Sequence, residues 1–166
     1  MIKVAVPYHL DERLDGFSAG VRVDLEVTAE LPAGGCWERM ASLYERVAQA
    51  VAAERQAVLV VSGDCTTSLA VLAGLQRAGR DPGIVWFDAH ADFHTEASTT
   101  SGYLGGMPLA LASGSARSPS RPSWGCGRCP SGAPCSSTPA TPTRASTCSS
   151  SGPRSRGVPS TRSARA

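Results

Sequence analysis

Hydrophobic and polar positions alternate in blocks along the first two-thirds of the chain, and each block has a characteristic period. Ile2–Val6 is a short β-branched run closed by Pro7, the pattern of a buried strand. Asp11 to Gly35 is mixed and punctuated by Gly16, Gly20, Pro32 and the Gly34-Gly35 pair, so loops are expected there. Inside it, Val21–Val27 alternates with period two, as a half-exposed edge strand would. From Trp37 the apolar positions fall at Met40, Tyr44, Val47 and Val51, spacings of three and four that predict a helix to about Gln56. Ala57–Val61 is a continuous apolar run, expected of a strand buried on both faces. Ser62-Gly63-Asp64-Cys65 turns the chain. Thr66 or Thr67 then caps a helix carrying Leu69, Leu72, Ala73 and Leu75, ended by Gly79 with Pro82 beyond. Gly83–Phe87 is expected as a third buried strand, running into Asp88-Ala89-His90-Ala91-Asp92. Strand, helix, strand, helix, strand is the pattern of an α/β fold with a parallel sheet. Ligands of such sheets sit outside the carboxyl ends of the strands, where the polar clusters of this chain fall.

Composition changes the picture after Ser113. All 14 acidic residues lie in 1–113 with eight of the 16 basic ones, so this part carries −6 and residues 114–166 carry +8. The later segment is rich in Ser, Pro, Arg, Gly and Thr, and its only larger apolar residues are Trp124 and Val158. It cannot bury enough surface to offset about 1–2 kcal/mol of backbone entropy per residue, and is expected to be disordered. The net charge of +2 therefore describes neither part. No run of 18 apolar residues indicates a membrane span, and the first residues enter a strand directly and not a signal peptide. A cytoplasmic location is the expectation.

Asp88, His90 and Asp92 stand at i, i+2 and i+4, which in extended chain places all three on one face. Two carboxylates and an imidazole meeting there carry a heavy desolvation cost unless a cation intervenes. Oxygen and imidazole donors suit Mn²⁺, Zn²⁺ or Fe²⁺. A solvated acidic loop is the bland alternative.

Three ordered segments narrow the choice: Ser62-Gly63-Asp64-Cys65, then Trp86-Phe87-Asp88-Ala89-His90-Ala91-Asp92-Phe93-His94, then Thr99 to Leu109 through Ser101-Gly102-Tyr103-Leu104-Gly105-Gly106-Met107-Pro108. In order and spacing they resemble the arginase/agmatinase (ureohydrolase) family, over Ile2 to about Ser113. The resemblance implies a three-layer αβα fold with a doubly wound parallel sheet, and a binuclear Mn²⁺ centre. There, metal-activated hydroxide would attack a guanidino or amidine carbon of an arginine, agmatine or hydroxyarginine type of substrate. By motif, Asp88 would bridge the metals, Asp92 would bind one and orient the water, and His90 would bind the other. His94, Ser101 and Tyr103 fall at substrate-contacting positions, with His94 and Asp92 at the catalytic ones. The intact family protein would be a homo-oligomer.

The departures matter as well. Cys65 stands where most members carry a metal-binding His. As a thiolate it could still ligate, which opens Zn²⁺ or Fe²⁺, and it resembles the branch acting on hydroxyarginine; otherwise it packs as a small hydrophobe. Gly105 replaces the acid/base His of arginases. His94 could equally be an exposed loop histidine, His9 reads as structural or surface, and Trp37, Tyr44 and Trp86 read as core.

No acidic residue follows Glu96, so residues 114–166 cannot supply the family's later pair of metal carboxylates. A basic nucleic-acid-binding tail would be the mark of a non-catalytic binding protein, the alternative function. A zinc module at Cys126, Cys129, Cys135 and Cys148 lacks a supporting core, and a disulfide framework conflicts with the cytosol. A frameshift accounts for more. If each codon's third base is read with the first two of the next, Trp124-Gly125 must give Gly. Cys135 permits Val, Ser136 and Ser137 permit Leu and Val, Thr138, Thr141 and Thr143 each permit Asp, and Ala140 permits Arg. The shifted frame can thus spell an apolar strand ending in Asp-x-Asp. Residues 1–113 are then expected to form the N-terminal part of an arginase-like α/β domain, and 114–166 to be out-of-frame sequence that would leave the chain truncated and inactive or metal-poor.

Overall fold

The computed structural model describes residues 1–116. Expectations about the tail beyond that point, including its four cysteines and its disorder, lie outside the described residues. Five strands and three helices occur in the order β1 (Ile2–Val6), β2 (Tyr8–His9), β3 (Glu12–Arg13), β4 (Leu25–Glu26), α1 (Cys36–Ala53), β5 (Val58–Ser62), α2 (Ser68–Arg77) and α3 (Pro108–Ala112). Single 3₁₀ turns occupy Cys65–Thr67 and Leu104–Gly106.

The main sheet has the order β4-β1-β5 and is parallel throughout. Its central strand is the first one, and Val4 pairs with Leu25 on one side and Val60 on the other. Parallel neighbours need a long connection, and α1 supplies it between β1 and β5. The alternation expected over Val21–Val27 yields an edge strand of only two residues, both exposed.

Helix α1 follows its pattern closely. Met40, Leu43, Tyr44, Val47, Ala48 and Val51 are buried, and Trp37 packs against the core they form with Val4, Val6 and Ala70. The backbone N–H of Gly35 donates to Glu38 Oε2 at 2.8 Å, fixing the start of the helix. Helix α2 lies across α1 and ends as expected at Gly79, whose φ of +73° suits a glycine, with Arg80 N donating to Leu75 O at 3.0 Å. The start of α2 differs from expectation. Thr67 makes no side-chain capping bond, and the capping group is Asp64, which accepts from Thr66 N at 2.8 Å to begin the 3₁₀ turn.

Strands β2 and β3 form a hairpin turned at Leu10 and Asp11. Leu10 has φ +55°, a left-handed conformation that costs a β-carbon-bearing residue about 1–2 kcal/mol. Burial of its side chain and a 2.6 Å hydrogen bond from its N–H to Asp64 Oδ2 offset that cost. Asp11 is buried beside it and is compensated by Arg39 Nε at 2.9 Å and the Cys36 thiol at 3.2 Å.

The expected third buried strand is absent. Residues 83–87 form no ladder with any described residue, Val85 is 79% exposed and Phe87 is 94% exposed. An apolar run becomes a strand only where neighbours accept its N–H and C=O groups, and residues 83–87 pair with none of the described strands. β5 is consequently an edge strand. Leu59 is exposed, against the expectation of burial on both faces. Of the three residues read as core, Tyr44 is in it, Trp37 packs against it, and Trp86 is only partly buried with its indole N–H unpartnered. Among the described residues no helix is long and apolar enough to cross a membrane.

Candidate functional site

The three motif segments meet around the Leu104–Gly106 turn. The Cys65 thiol donates to Gly105 O at 3.1 Å, His94 N donates to Gly106 O at 2.9 Å, and Leu109 N donates to Asp92 O at 3.0 Å. Gly63, one turn before Cys65, admits no side chain: a β-carbon there would stand 2.5 Å from both Tyr8 O and Leu14 Cδ1. Its own N–H donates to Tyr8 O at 3.0 Å, so the Ser62–Cys65 turn is clamped onto the start of β2, just beyond β1. Asp64 tightens the clamp by accepting from Leu10 N, Thr66 N and the Thr66 hydroxyl, which in turn meets the buried Tyr44 hydroxyl. Burial first, then the charge of Asp64, pushes the Tyr44 phenol well above its ordinary range, so it stays protonated.

The metal motif is only half gathered. Asp92 is buried and has φ +46°, so the chain bends there and the extended geometry expected for Asp88, His90 and Asp92 does not hold. His90 points outward with its side chain 84% exposed. Asp88 accepts from the backbone N–H of His90 at 3.0 Å, and its nearer carboxylate oxygen is 3.7 Å from His90 Nδ1. The cause lies one step upstream, because the strand that would hold Asp88 and His90 rigidly is not formed. Cys65 lies in the same neighbourhood. Burial, followed by the charges of Asp92, Asp64 and Asp88, pushes its thiol up to about 12, so it is a protonated donor at neutral pH.

Whether these residues suit a metal pair can be judged from two atoms and one absence. The Oδ2 of Asp92 is buried without a partner, as a waiting ligand would be, but the Cys65 sulfur is engaged with Gly105 O. Among the described residues no three His, Cys, Asp or Glu side chains converge. As placed, they do not fit a binuclear centre.

The positions read as substrate contacts are on the exposed side of the same cluster. His94 Nδ1 lies 3.2 Å from the Ser98 hydroxyl, and Ser101 Oγ accepts from Tyr103 N at 3.2 Å. The Tyr103 ring stacks beside His9, with centroids 6.2 Å apart and planes 19° from parallel. His9, read from the sequence as structural or surface, therefore belongs to this neighbourhood. Its place just after the first strand, at a carboxyl end, was the signal that could have marked it. A separate open depression of about 670 Å³, lined by Arg13, Thr28, Glu30, Glu45 and Arg46 among others, involves none of the motif residues.

A parallel sheet with helices packed against it, and with the motif residues lying beyond the carboxyl ends of its strands, defines an α/β scaffold. The Arginase family model matches residues 4–127, past the composition break after Ser113. The chain belongs to the arginase family. It is 37% identical to the arginase of Bacillus subtilis over 77 residues, covering 46% of this chain and 25% of that protein. It is 35% identical, also over 77 residues, to the N(omega)-hydroxy-L-arginine amidinohydrolase of Streptomyces lavendulae, covering 46% of this chain and 28% of that one. Among solved structures, the arginase of Entamoeba histolytica in complex with L-ornithine superposes with a TM-score of 0.54 at 25% identity, over 70% of this chain and 50% of that one. The match thus spans about a quarter of the length of these relatives by sequence, and half of the solved structure.

Proposed function

We propose that this chain derives from a ureohydrolase that cleaves a C–N bond of a guanidino or amidine substrate, and that the chain as it stands does not turn over. The observation that carries the first half is the convergence of the three family segments on the Leu104–Gly106 turn through Cys65, Asp92 and His94. Arginine and hydroxyarginine types are both open as substrates, since relatives of both names match. Asp92 and His94 are the residues assigned to catalysis, and His94, Ser101 and Tyr103 those assigned to substrate contact.

The second half follows from what is missing. The family is metal-dependent, but here Asp88 and His90 are splayed, the Cys65 sulfur is engaged with Gly105 O, and no step is assigned to a Mn²⁺ pair, or to Zn²⁺ or Fe²⁺. The later carboxylates that would help bind metal are absent from residues 114–166, which contain no Asp or Glu. A frameshift after Ser113 accounts for both the composition break and that loss.

Metal analysis of the purified chain should find well under one equivalent of Mn²⁺, and urea release from L-arginine, agmatine or hydroxyarginine should equal the blank. A full metal pair with turnover would overturn the inactive half. The nucleotide sequence across codons 110–120 tests the frameshift, which fails if a confirmed sequence keeps the frame and neither alternative frame encodes the apolar strand ending in Asp-x-Asp.

A further inference from the structure

The two edges of the main sheet are unlike each other. β4 is two residues long and is guarded by charge. Asp24 lies 3.9 Å from Lys3 Nζ and accepts from Lys3 N at 2.9 Å, and Glu26 pairs with Arg13 at 3.4 Å. Short length and charge are the usual means by which an edge is kept from joining another chain. β5 has neither. Val58–Ser62 is five residues long without a charge or a proline, and among the described residues β1 alone pairs with it.

Two bonds give the direction of its backbone groups. Ile2 N donates to Ala57 O at 2.9 Å and Gly63 N to Tyr8 O at 3.0 Å, so the odd-numbered residues turn their N–H and C=O groups toward the β1 side. Successive residues of a strand alternate, so the groups of Val58, Val60 and Ser62 point to the open edge. Side chains alternate as well. Val58 and Val60 pack against the core, which puts Leu59 and Val61 on the other face, with Leu59 exposed.

An occupant of this edge must bring its own row of unpaired backbone groups together with apolar side chains. Residues 117–166 cannot supply them, since they contain one Val and no Ile, Leu, Met, Phe or Tyr. Residues 83–87 pair with none of the described strands. A second copy of β5 meets both conditions. We propose that the β5 edge is a self-association surface, on which β5 of two copies pairs antiparallel about a two-fold axis at Val60. In that register Val60 faces the partner's Val60 and Val58 faces the partner's Ser62. These are the residues whose groups point outward, and each such pair exchanges two hydrogen bonds. Leu59 faces the partner's Val61 in the closer, non-hydrogen-bonded position, an apolar cross-strand contact made twice. No charge meets its like, because the strand carries none. The pair is closed: it uses both β5 edges and leaves the guarded β4 strands outside.

Sedimentation of the full chain should show a monomer–dimer equilibrium that moves with protein concentration. Hydrogen exchange locates the contact. The Leu59 and Val61 amides should be protected at all concentrations, and those of Val58, Val60 and Ser62 should slow about tenfold or more as dimer forms. Leu59→Lys sets two ammonium groups diagonally across the axis and should raise the dimer dissociation constant about tenfold or more. Leu59→Glu should do the same alone, and an equimolar mixture of the two variants should dimerise again. Val21→Lys, at an exposed position before β4, should change nothing. Unaltered protection of Leu59 and Val61 in both charged variants checks that the sheet survives. A chain that stays monomeric at every concentration overturns the proposal, and so does open-ended growth or a dimer indifferent to both charges. Protection of Val58, Val60 and Ser62 that is independent of concentration also overturns it, because the chain would then cover its own edge.

Discussion

Asp64 is the residue on which the local architecture of the site most depends, and its loss should be measurable in isolation. Its carboxylate accepts from Leu10 N at 2.6 Å, from Thr66 N at 2.8 Å and from the Thr66 hydroxyl. Hydrogen bonds to a charged acceptor contribute about 1.5–3 kcal/mol each. The sum is not additive, and a partly buried loop lets water satisfy some of the donors, so Asp64→Ala should cost about 3–5 kcal/mol. Against a typical total of about 5–15 kcal/mol for a domain, that leaves the fold marginal. Asp64→Asn separates the two sides. The amide oxygen can still serve Thr66, but the amide nitrogen then faces the N–H of Leu10, donor against donor. The strained φ of Leu10 loses its compensation, and the expected cost is about 2 kcal/mol. Urea unfolding followed by tryptophan fluorescence gives the stability, and hydrogen exchange at the Leu10 amide gives the location. Exchange there should quicken about 30-fold, the equivalent of 2 kcal/mol, while amides in the middle of α1 change only with global stability. An Asn variant within about 0.5 kcal/mol of the parent, with Leu10 exchange unaltered, would refute the pinning role.

Two further outcomes test the packing and the surface charge. Gly74→Ala should destabilise by about 1–2 kcal/mol despite the better helix propensity of Ala, because its β-carbon would stand 2.7 Å from both Ala48 O and Val51 Cβ on α1; denaturant unfolding showing equal or higher stability would remove the close α1–α2 approach as the reason for glycine. Glu45 is held below its ordinary carboxylate range chiefly by the hydrogen bonds from Arg77, at 2.8 and 2.6 Å. A depressed carboxyl stabilises above its unfolded value, near 4.5, and that contribution disappears as pH falls through the lower folded value. Arg77→Met should therefore cost a few tenths to about 1 kcal/mol at pH 7, discounted for the partial exposure of both side chains, and progressively less as the carboxyl protonates below its folded value; a difference that does not shrink as pH falls would point to lost packing and not to the ion pair.

Helices α1 and α2 and strands β1 and β5 were legible in the sequence because each carries the period of its element in its own apolar residues. Met40, Tyr44, Val47 and Val51 repeat at helical spacing and are all buried, and Ile2–Val6 needs only β5 and β4 beside it. The capping of the second helix was misassigned because Thr66 and Thr67 have the right chemistry by type, and only geometry shows that Asp64 reaches the N–H groups first. His9 was missed for the opposite reason. Nothing around it in the sequence forms a motif, and its partners Gly63 and Tyr103 are 54 and 94 positions away.

The third strand marks where local pattern stops being enough, and it links the fold to the site. Gly83–Phe87 has the composition of a buried strand, but strand formation is a property of pairs. With Phe87 and Val85 in solvent, the chain gains nothing from extending there. Asp88 is bonded to the N–H of His90, two residues on, whereas Asp92 and His94 are tied through their backbones to Leu109 and Gly106. The division between gathered and splayed donors thus follows the division between residues with a hydrogen-bonded support and residues without one. Supplying a strand to the free edge of β5 should therefore do more than complete the sheet: by extending residues 83–87 it would bring Asp88 and His90 back to the side of Asp92, the arrangement that their i, i+2, i+4 spacing encodes only when the backbone is extended.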